Sequence, residues 1–145
     1  MTLVKACAAL AFHHYAITLS KEAHMAIHRI DRRGWHDFFS VFTRGPVGKR
    51  AEIEVASLDL GDQIVAEWLP LLGISYDHKS DMVSIALEGV DHLIRSPREI
   101  HADYVTDSLL ALHIVDGEDR HQIVRFADPI ALPAPADAEQ AKAGT

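Results

Sequence analysis

Residues 69–87 read Leu-Pro-Leu-Leu-Gly-Ile-Ser-Tyr-Asp-His-Lys-Ser-Asp-Met-Val-Ser-Ile-Ala-Leu, and they determine the fold class that the sequence predicts. Two arms rich in apolar residues, Ile74–Tyr76 and Met82–Leu87, predict two short β-strands. The residues between them, 77–81, are all polar and compatible with a turn. The stretch therefore predicts an antiparallel hairpin, and the Leu-Pro-Leu-Leu-Gly run before it predicts a bend in the sheet.

Upstream of the hairpin, the sequence predicts one helix. Asp31 is a good N-cap, because its carboxylate can accept hydrogen bonds from the free amides of the first turn. Four aromatic residues follow at helical spacing and would share one face: Trp35, Phe38, Phe39 and Phe42. We expect this face to pack on a sheet, and we expect Gly45-Pro46 to end the helix.

Strand-like patterns cover most of the remaining chain. Besides the two arms of the hairpin, strands are predicted at residues 52–55, 63–69, 99–105, 109–115 and 122–126. The predicted fold class is therefore α+β, with one N-terminal helix packed on an antiparallel meander of about seven short strands. The meander would be either open or rolled into a small SH3- or Sm-like barrel.

Length and composition fit one domain with two tails. The chain has 145 residues, of which 48% are apolar and 24% charged, as in ordinary globular proteins. We expect an N-terminal extension at 1–24, a single α+β domain at 25–126 and a flexible tail rich in Pro and Ala at 127–145. A weak signal segment, or a natural start at Met25, remains as an alternative for residues 1–24.

Charge and cysteine content restrict the classes of function. The formal net charge of −7 argues against nucleic-acid binding, which usually requires a basic surplus. The single cysteine, Cys7, cannot form an intrachain disulfide, so we expect a cytoplasmic protein. Ten histidines predict that solubility and self-association change between about pH 5 and pH 7. We expect neither a membrane span nor a cofactor.

Signatures of catalysis are missing from the sequence. It contains neither Gly-x-Ser-x-Gly nor His-Glu-x-x-His. Residues 45–50, Gly-Pro-Val-Gly-Lys-Arg, lack the Ser or Thr that follows the lysine of a phosphate-binding loop. We therefore assign no catalytic residue; the sequence favours a protein that is not an enzyme but leaves a weak enzyme as the alternative.

Two classes of function remain open. The first is a small interaction module that binds a protein partner, or itself as a homo-oligomer, through a sheet edge or an apolar face. It predicts exposed apolar side chains around the bend at Pro70, at Trp68, Leu71 or Leu72.

The second class is a protein that binds a small ligand or a metal through the polar turn of the hairpin. A carboxylate beside an imidazole orients the ring and raises its basicity, which is the start of general-base chemistry. The candidate residues are Asp77, His78 and Asp81, together with His92 or His101. This hypothesis requires the side chains to converge on one concave surface.

Several short motifs, in this order, resemble a family of short bacterial proteins catalogued as a domain of unknown function. The shared pattern consists of Trp35-x-x-Phe38-Phe39-x-x-Phe42-x-Arg44, Glu54-Val55, Glu67-x-Leu69-Pro70-Leu71-x-Gly73-Ile74-Ser75, Asp81-x-x-x-Ile85-x-Leu87, His92-Leu93-Ile94, Pro97 and Val124-Arg125-Phe126. It spans about residues 27–126 and implies no established activity. A weaker likeness to Sm-like barrels concerns the fold alone.

Overall fold

A computed structural model describes residues 25–43 and 49–132, which form eight β-strands and one short α-helix. The strands are β1 (Met25–Arg29), β2 (Arg50–Ser57), β3 (Gly61–Asp77), β4 (Met82–Leu87), β5 (Val90–Arg95), β6 (Glu99–Val105), β7 (Ser108–Val115) and β8 (His121–Ala131). The helix α1 (Trp35–Ser40) lies between two 3-10 turns, Arg32–Gly34 and Val41–Thr43. No helix among these residues is long and apolar enough to cross a bilayer.

The predicted α+β class is wrong, because the described residues form an almost entirely antiparallel sheet, in which the one short helix follows strand β1. The sheet has eight strands instead of about seven and is not closed into a barrel. Two predicted strands, at 63–69 and 74–76, are parts of the single strand β3, while β1 and β5 were not predicted. The short helix packs on this sheet and does not form a separate layer.

The helix has only six residues, and the reason is local. Asp31 accepts a hydrogen bond from the Arg33 amide at 2.9 Å, so it caps the preceding 3-10 turn. Gly34 occupies the N-cap of α1 and has no side chain that could accept from the first-turn amides. The predicted aromatic face is nevertheless confirmed, since all four of its side chains are buried in the core. The predicted end at Gly45-Pro46 lies outside the described residues.

The strands are arranged in the order β1-β6-β7-β8-β2-β3-β4-β5, with every neighbouring pair antiparallel. The sheet curls strongly, because β5 at one end is joined to β6 near the other end by residues 96–98 alone. So short a connection reaches at most about 14 Å between the flanking Cα atoms. The curl encloses one hydrophobic core, to which both halves of the sheet and the helix contribute.

The predicted hairpin is confirmed. Strand β3 pairs with β4 from Leu71↔Leu87 to Asp77↔Met82, and residues 78–81 form the turn. Strand β8 continues to Ala131, so residues 127–131 of the expected tail belong to the sheet. Residues 1–24 and 133–145 lie outside the described part of the chain.

The long strand β3 changes partner along its length. Its first half, to Pro70, pairs with β2, and its second half, from Leu71, pairs with β4. Register shifts opposite Ile53 mark two β-bulges in the first half, and Trp68 has a φ of 50°. Bulges bend and twist a strand, which allows one strand to join the two parts of the curled sheet.

Candidate functional site

The polar turn after β3 is held by hydrogen bonds that use its carboxylates for structure. Asp77 accepts from the Lys79 amide at 3.0 Å and from Ser80 Oγ at 2.9 Å. These bonds hold the pKa of the Asp77 carboxyl below its ordinary value. His78, between them, is exposed to solvent. The turn is therefore a structural Asx turn at its first residue.

Asp81, at the other end of the turn, faces back into the fold. Its Oδ1 accepts from the Tyr76 hydroxyl and from Arg32 Nη2, both at 2.8 Å. Burial, and then the bond to Asp81, raises the pKa of the Tyr76 phenol. The Arg32 guanidinium also lies over the Trp35 ring, 4.9 Å from its centroid. Asp81 thus connects the 3-10 turn that precedes α1 with the β3–β4 hairpin.

His92 lies away from this turn. It belongs to a network of hydrogen-bonded side chains that also contains Gln122 and Asp116. Its Nε2 is 2.7 Å from Gln122 Oε1, and Gln122 Nε2 donates to Asp116 Oδ2 at 3.0 Å. Asp116 is fully buried and also accepts from the amides of Glu118 and Arg120. Burial raises the pKa of Asp116, but these amide bonds, together with the side-chain bonds from Gln122 and Arg120, outweigh it and leave the pKa below its ordinary value. The network joins edge strand β5 to the β7–β8 turn.

His101 belongs to a third cluster, on the outer face of the sheet. Its ring centroid is 6.1 Å from that of His113, and His113 Nε2 lies 2.8 Å from His121 Nδ1. Burial, and then the neighbouring imidazoles, lowers the pKa of His113. The three histidines come from adjacent strands β6, β7 and β8. Sequence reasoning singled out only the first of them, because the other two become its neighbours through long-range pairing.

The five predicted ligand residues are therefore distributed over three separate clusters. Within residues 25–43 and 49–132, no group of three His, Cys, Asp or Glu side chains has an arrangement that could hold a metal ion. Each carboxylate of the hairpin turn is engaged in hydrogen bonds within or beside that turn. The structure gives no concave site shared by these residues.

The apolar candidates around Pro70 have different environments. Trp68 is 37% exposed and Leu72 is 61% exposed, whereas Leu71 is only 1% exposed and belongs to the core. Two of the three candidates are therefore exposed, and Leu71 faces the core because successive strand residues point to opposite faces of a sheet. Leu71 and Leu72 cannot both face solvent where one face is covered.

The first half of β3 forms an open edge of the sheet, which we call the β3 edge and define as residues 61–68. One side of it pairs with β2, and no described strand pairs with the other side. Five of the nine large hydrophobic side chains exposed in the described chain lie on this edge or in the turn before it: Leu58, Leu60, Ile64, Val65 and Trp68. Sequence reasoning found only Trp68, although the Leu-Asp-Leu-Gly turn was a signal of exposed leucines.

Trp68 has a backbone conformation that is uncommon for its type. Its φ of 50° lies in the left-handed region, which disfavours any residue with a Cβ. The residue lies in the bulge between the pairs Ala51↔Leu69 and Ile53↔Ala66. Trp68, in this bulge, is 37% exposed at the end of the β3 edge.

The surroundings of the β3 edge are acidic. Residues 51–78 contain six acidic residues and no Lys or Arg. Glu52 and Glu54 share one ion-pair partner, Arg125, whose Nη1 lies 3.3 and 2.7 Å from their carboxylates. Within the described chain, no ion pair involves the other acids near the edge, Asp59, Asp62 and Glu67.

A cavity of about 310 Å³ adjoins the start of this edge, between the β2–β3 and β7–β8 turns. Its acidic lining consists of Asp59, Glu118 and Asp119, and its basic lining of Arg120. Arg120 is engaged by Asp116 at 2.9 Å and by Glu118 at 3.5 Å. Arg98 pairs with Asp119. Asp59 is therefore the one acid of this lining that has no ion-pair partner among the described residues.

Comparison with known proteins gives a family but no activity. The chain is 34% identical over 110 residues to an uncharacterized protein of Aquifex aeolicus (strain VF5). The aligned region covers 75% of this chain and 99% of that protein. No solved structure matches the chain significantly. The model of the family of unknown function DUF5335 matches residues 26–135, and the chain therefore belongs to that family.

Proposed function

We propose that this protein is a small, non-enzymatic interaction module of the cytoplasm, which binds an extended segment of a protein partner along the β3 edge. The observation that supports this proposal is that, among the described strands, residues 61–68 pair on one side only, and that they also expose Ile64, Val65 and Trp68. An unpaired strand directs alternate N–H and C=O groups outward, where an incoming strand can bond to them.

Two further edges of the sheet are less suited to this role. Strand β5 exposes a single large apolar side chain, Leu93, and its His92 is engaged with Gln122. Strand β1 exposes Met25 and Ile27, but it starts at the first residue that the structure describes. Among the described strands, the β3 edge has the largest group of exposed large apolar side chains.

The second hypothesis, a ligand or metal site at the hairpin turn, is not proposed further. It required Asp77, His78 and Asp81 to converge with His92 or His101, and these residues lie in three separate clusters.

Tryptophan fluorescence tests the proposal. The chain has two tryptophans, of which Trp35 is buried and Trp68 is partly exposed, so a docked strand should shift the emission of Trp68 to shorter wavelength. We expect this shift when the full chain is titrated with short peptides in which valine alternates with a polar residue. The Trp68→Phe variant serves as the control and should show no shift. Absence of a shift with every such peptide would contradict the proposal.

A further inference from the structure

We infer that the segment bound at the β3 edge is a cationic one, in which apolar residues alternate with Lys or Arg, and not a second copy of this chain. This inference rests on the proposed function, since it names the chemistry of the partner for the same edge. Charge, apolar exposure and the irregularity of the edge are the three features that support it.

The charge of the edge favours a basic partner. Asp62 and Glu67 lie on the edge itself, Asp59 lies in the turn before it, and the nearest Lys or Arg in sequence are Arg50 and Lys79. Opposite charges on facing strands stabilise a pair, whereas like charges destabilise it. An approaching strand with Lys or Arg at alternate positions would meet carboxylates that have no ion-pair partner among the described residues.

A second copy of the chain fits the edge poorly. It would bring the same acids and the same two bulges to the interface, so that like charges and two irregular strands would face one another. Bulges and charges on an edge strand hinder pairing with a like edge. The net charge of −7 adds long-range repulsion between copies at neutral pH.

Three peptides of equal length test the charge of the partner on the full chain. They alternate valine with lysine, with threonine or with glutamate, and binding is followed by the emission of Trp68. We expect the lysine peptide to bind at least about tenfold more tightly than the glutamate peptide at low salt. The ratio should fall when salt is raised from about 0.01 M to about 0.15 M, because exposed charges are screened.

A double variant and a matched control locate the effect. Asp62→Asn with Glu67→Gln should reduce the preference for lysine over glutamate several-fold, whereas Asp91→Asn on β5, also exposed, should leave it unchanged. Equal binding of all three peptides would overturn the cationic partner and leave the proposed function standing. Binding of none of them would overturn the proposed function itself.

The oligomeric state tests whether the β3 edge instead binds a second copy of the chain. We expect sedimentation of the full chain at neutral pH to show a monomer. A dimer that Ile64→Lys dissociates would assign the edge to a second copy and overturn the inference, whatever the peptides do.

Discussion

Ile64 of β3 lies directly opposite Glu54 of β2. Ile64 is the last member of a row of cross-strand partners that extends over six strands of the sheet. The row consists of Arg29, His101, His113, Ile123, Glu54 and Ile64. Every member of the row from His101 to Glu54 has a neighbour on both sides, and beyond Ile64 no described strand follows. An apolar side chain therefore stands at an open end of an otherwise largely polar row.

We predict that Ile64→Thr weakens peptide binding while it leaves the fold nearly intact. Threonine keeps the β-branched shape and removes apolar surface that is 51% exposed, so thermal stability should change by less than about 0.5 kcal/mol. The affinity for the lysine–valine peptide should fall at least about tenfold. Ile27→Thr on β1, at a side chain that is 71% exposed, is the matched control and should leave binding unchanged. Equal effects of the two substitutions would contradict a specific β3 edge.

We predict an inverted order of glycine and alanine at position 68. Because the φ of Trp68 is 50°, Trp68→Gly should be more stable than Trp68→Ala by about 1 kcal/mol. At Ile64, which has no such φ, alanine should be the more stable replacement, as is usual in strands. Urea denaturation of the four variants measures both differences. The same order at both positions would show that the bulge at Trp68 does not carry conformational strain.

Two buried tyrosines of the described chain, Tyr76 and Tyr104, should respond differently to loss of the hydroxyl. Tyr76→Phe removes the hydrogen bond to Asp81 and should lower the free energy of unfolding by about 1 to 2 kcal/mol. The Tyr104 hydroxyl is buried without a hydrogen-bond partner among the described residues, and burial raises the pKa of its phenol. Tyr104→Phe should therefore leave stability unchanged or raise it by up to about 1 kcal/mol. A loss at Tyr104 as large as that at Tyr76 would indicate a partner for this hydroxyl.

The stability of the fold should depend on Asp116, the buried member of the hydrogen-bonded network with His92 and Gln122. This fully buried carboxylate accepts from two amides and from the side chains of Arg120 and Gln122, so Asp116→Ala leaves several donors unpaired. We expect a loss of about 3 kcal/mol or more in chemical denaturation. Asp119→Ala, an exposed residue of the same turn that pairs with Arg98, should lose less than about 1 kcal/mol. Similar losses would mean that the turn contributes through its charge alone.

Stability should fall on acidification through the histidine cluster. The folded state holds the pKa of His113 below its ordinary value, through burial first and then through His121 and His101, while Asp103 and Glu99 act in the opposite direction. The unfolded chain therefore binds this proton more readily, so stability is complete above about pH 6.5 and decreases as the pH falls through that value.

Thermal unfolding from about pH 7.5 to about pH 5.5 checks this sign. His113→Asn should flatten the dependence of the melting temperature on pH, whereas His36→Asn, at an exposed residue of α1, should not. A melting temperature that rises on acidification in the unaltered protein, and not in His113→Asn, would contradict the assignment.

The parts of the fold that the sequence predicted are those that depend only on residues close together in the sequence. The β3–β4 hairpin needs only alternating apolar residues and a polar turn, and the buried aromatic face needs only helical spacing. The strand β1 escaped prediction because it is stabilised by β6, which lies far along the chain. Strand β5 contains Asp91, His92 and Arg95 and is a strand because β4 lies beside it.

The candidate site shows the same division. Trp68 was predicted from its place beside Pro70, but the open edge to which it belongs depends on where β3 exchanges β2 for β4. Leu71 was among the candidates, although the alternation of strand side chains could have excluded its exposure beside Leu72. The histidines His113 and His121 join His101 only through the pairing of three strands, which no local pattern announces.

Hydrogen exchange of the backbone amides, measured on the full chain with and without the lysine–valine peptide, examines the β3 edge residue by residue. Amides of residues 61–68 that point away from β2 should exchange rapidly in the free protein and become protected when the peptide is bound. The amides of β1 and β5 should be unaffected. Protection confined to β1 or β5, or binding without any new protection at residues 61–68, would contradict the assignment of this edge as the binding surface.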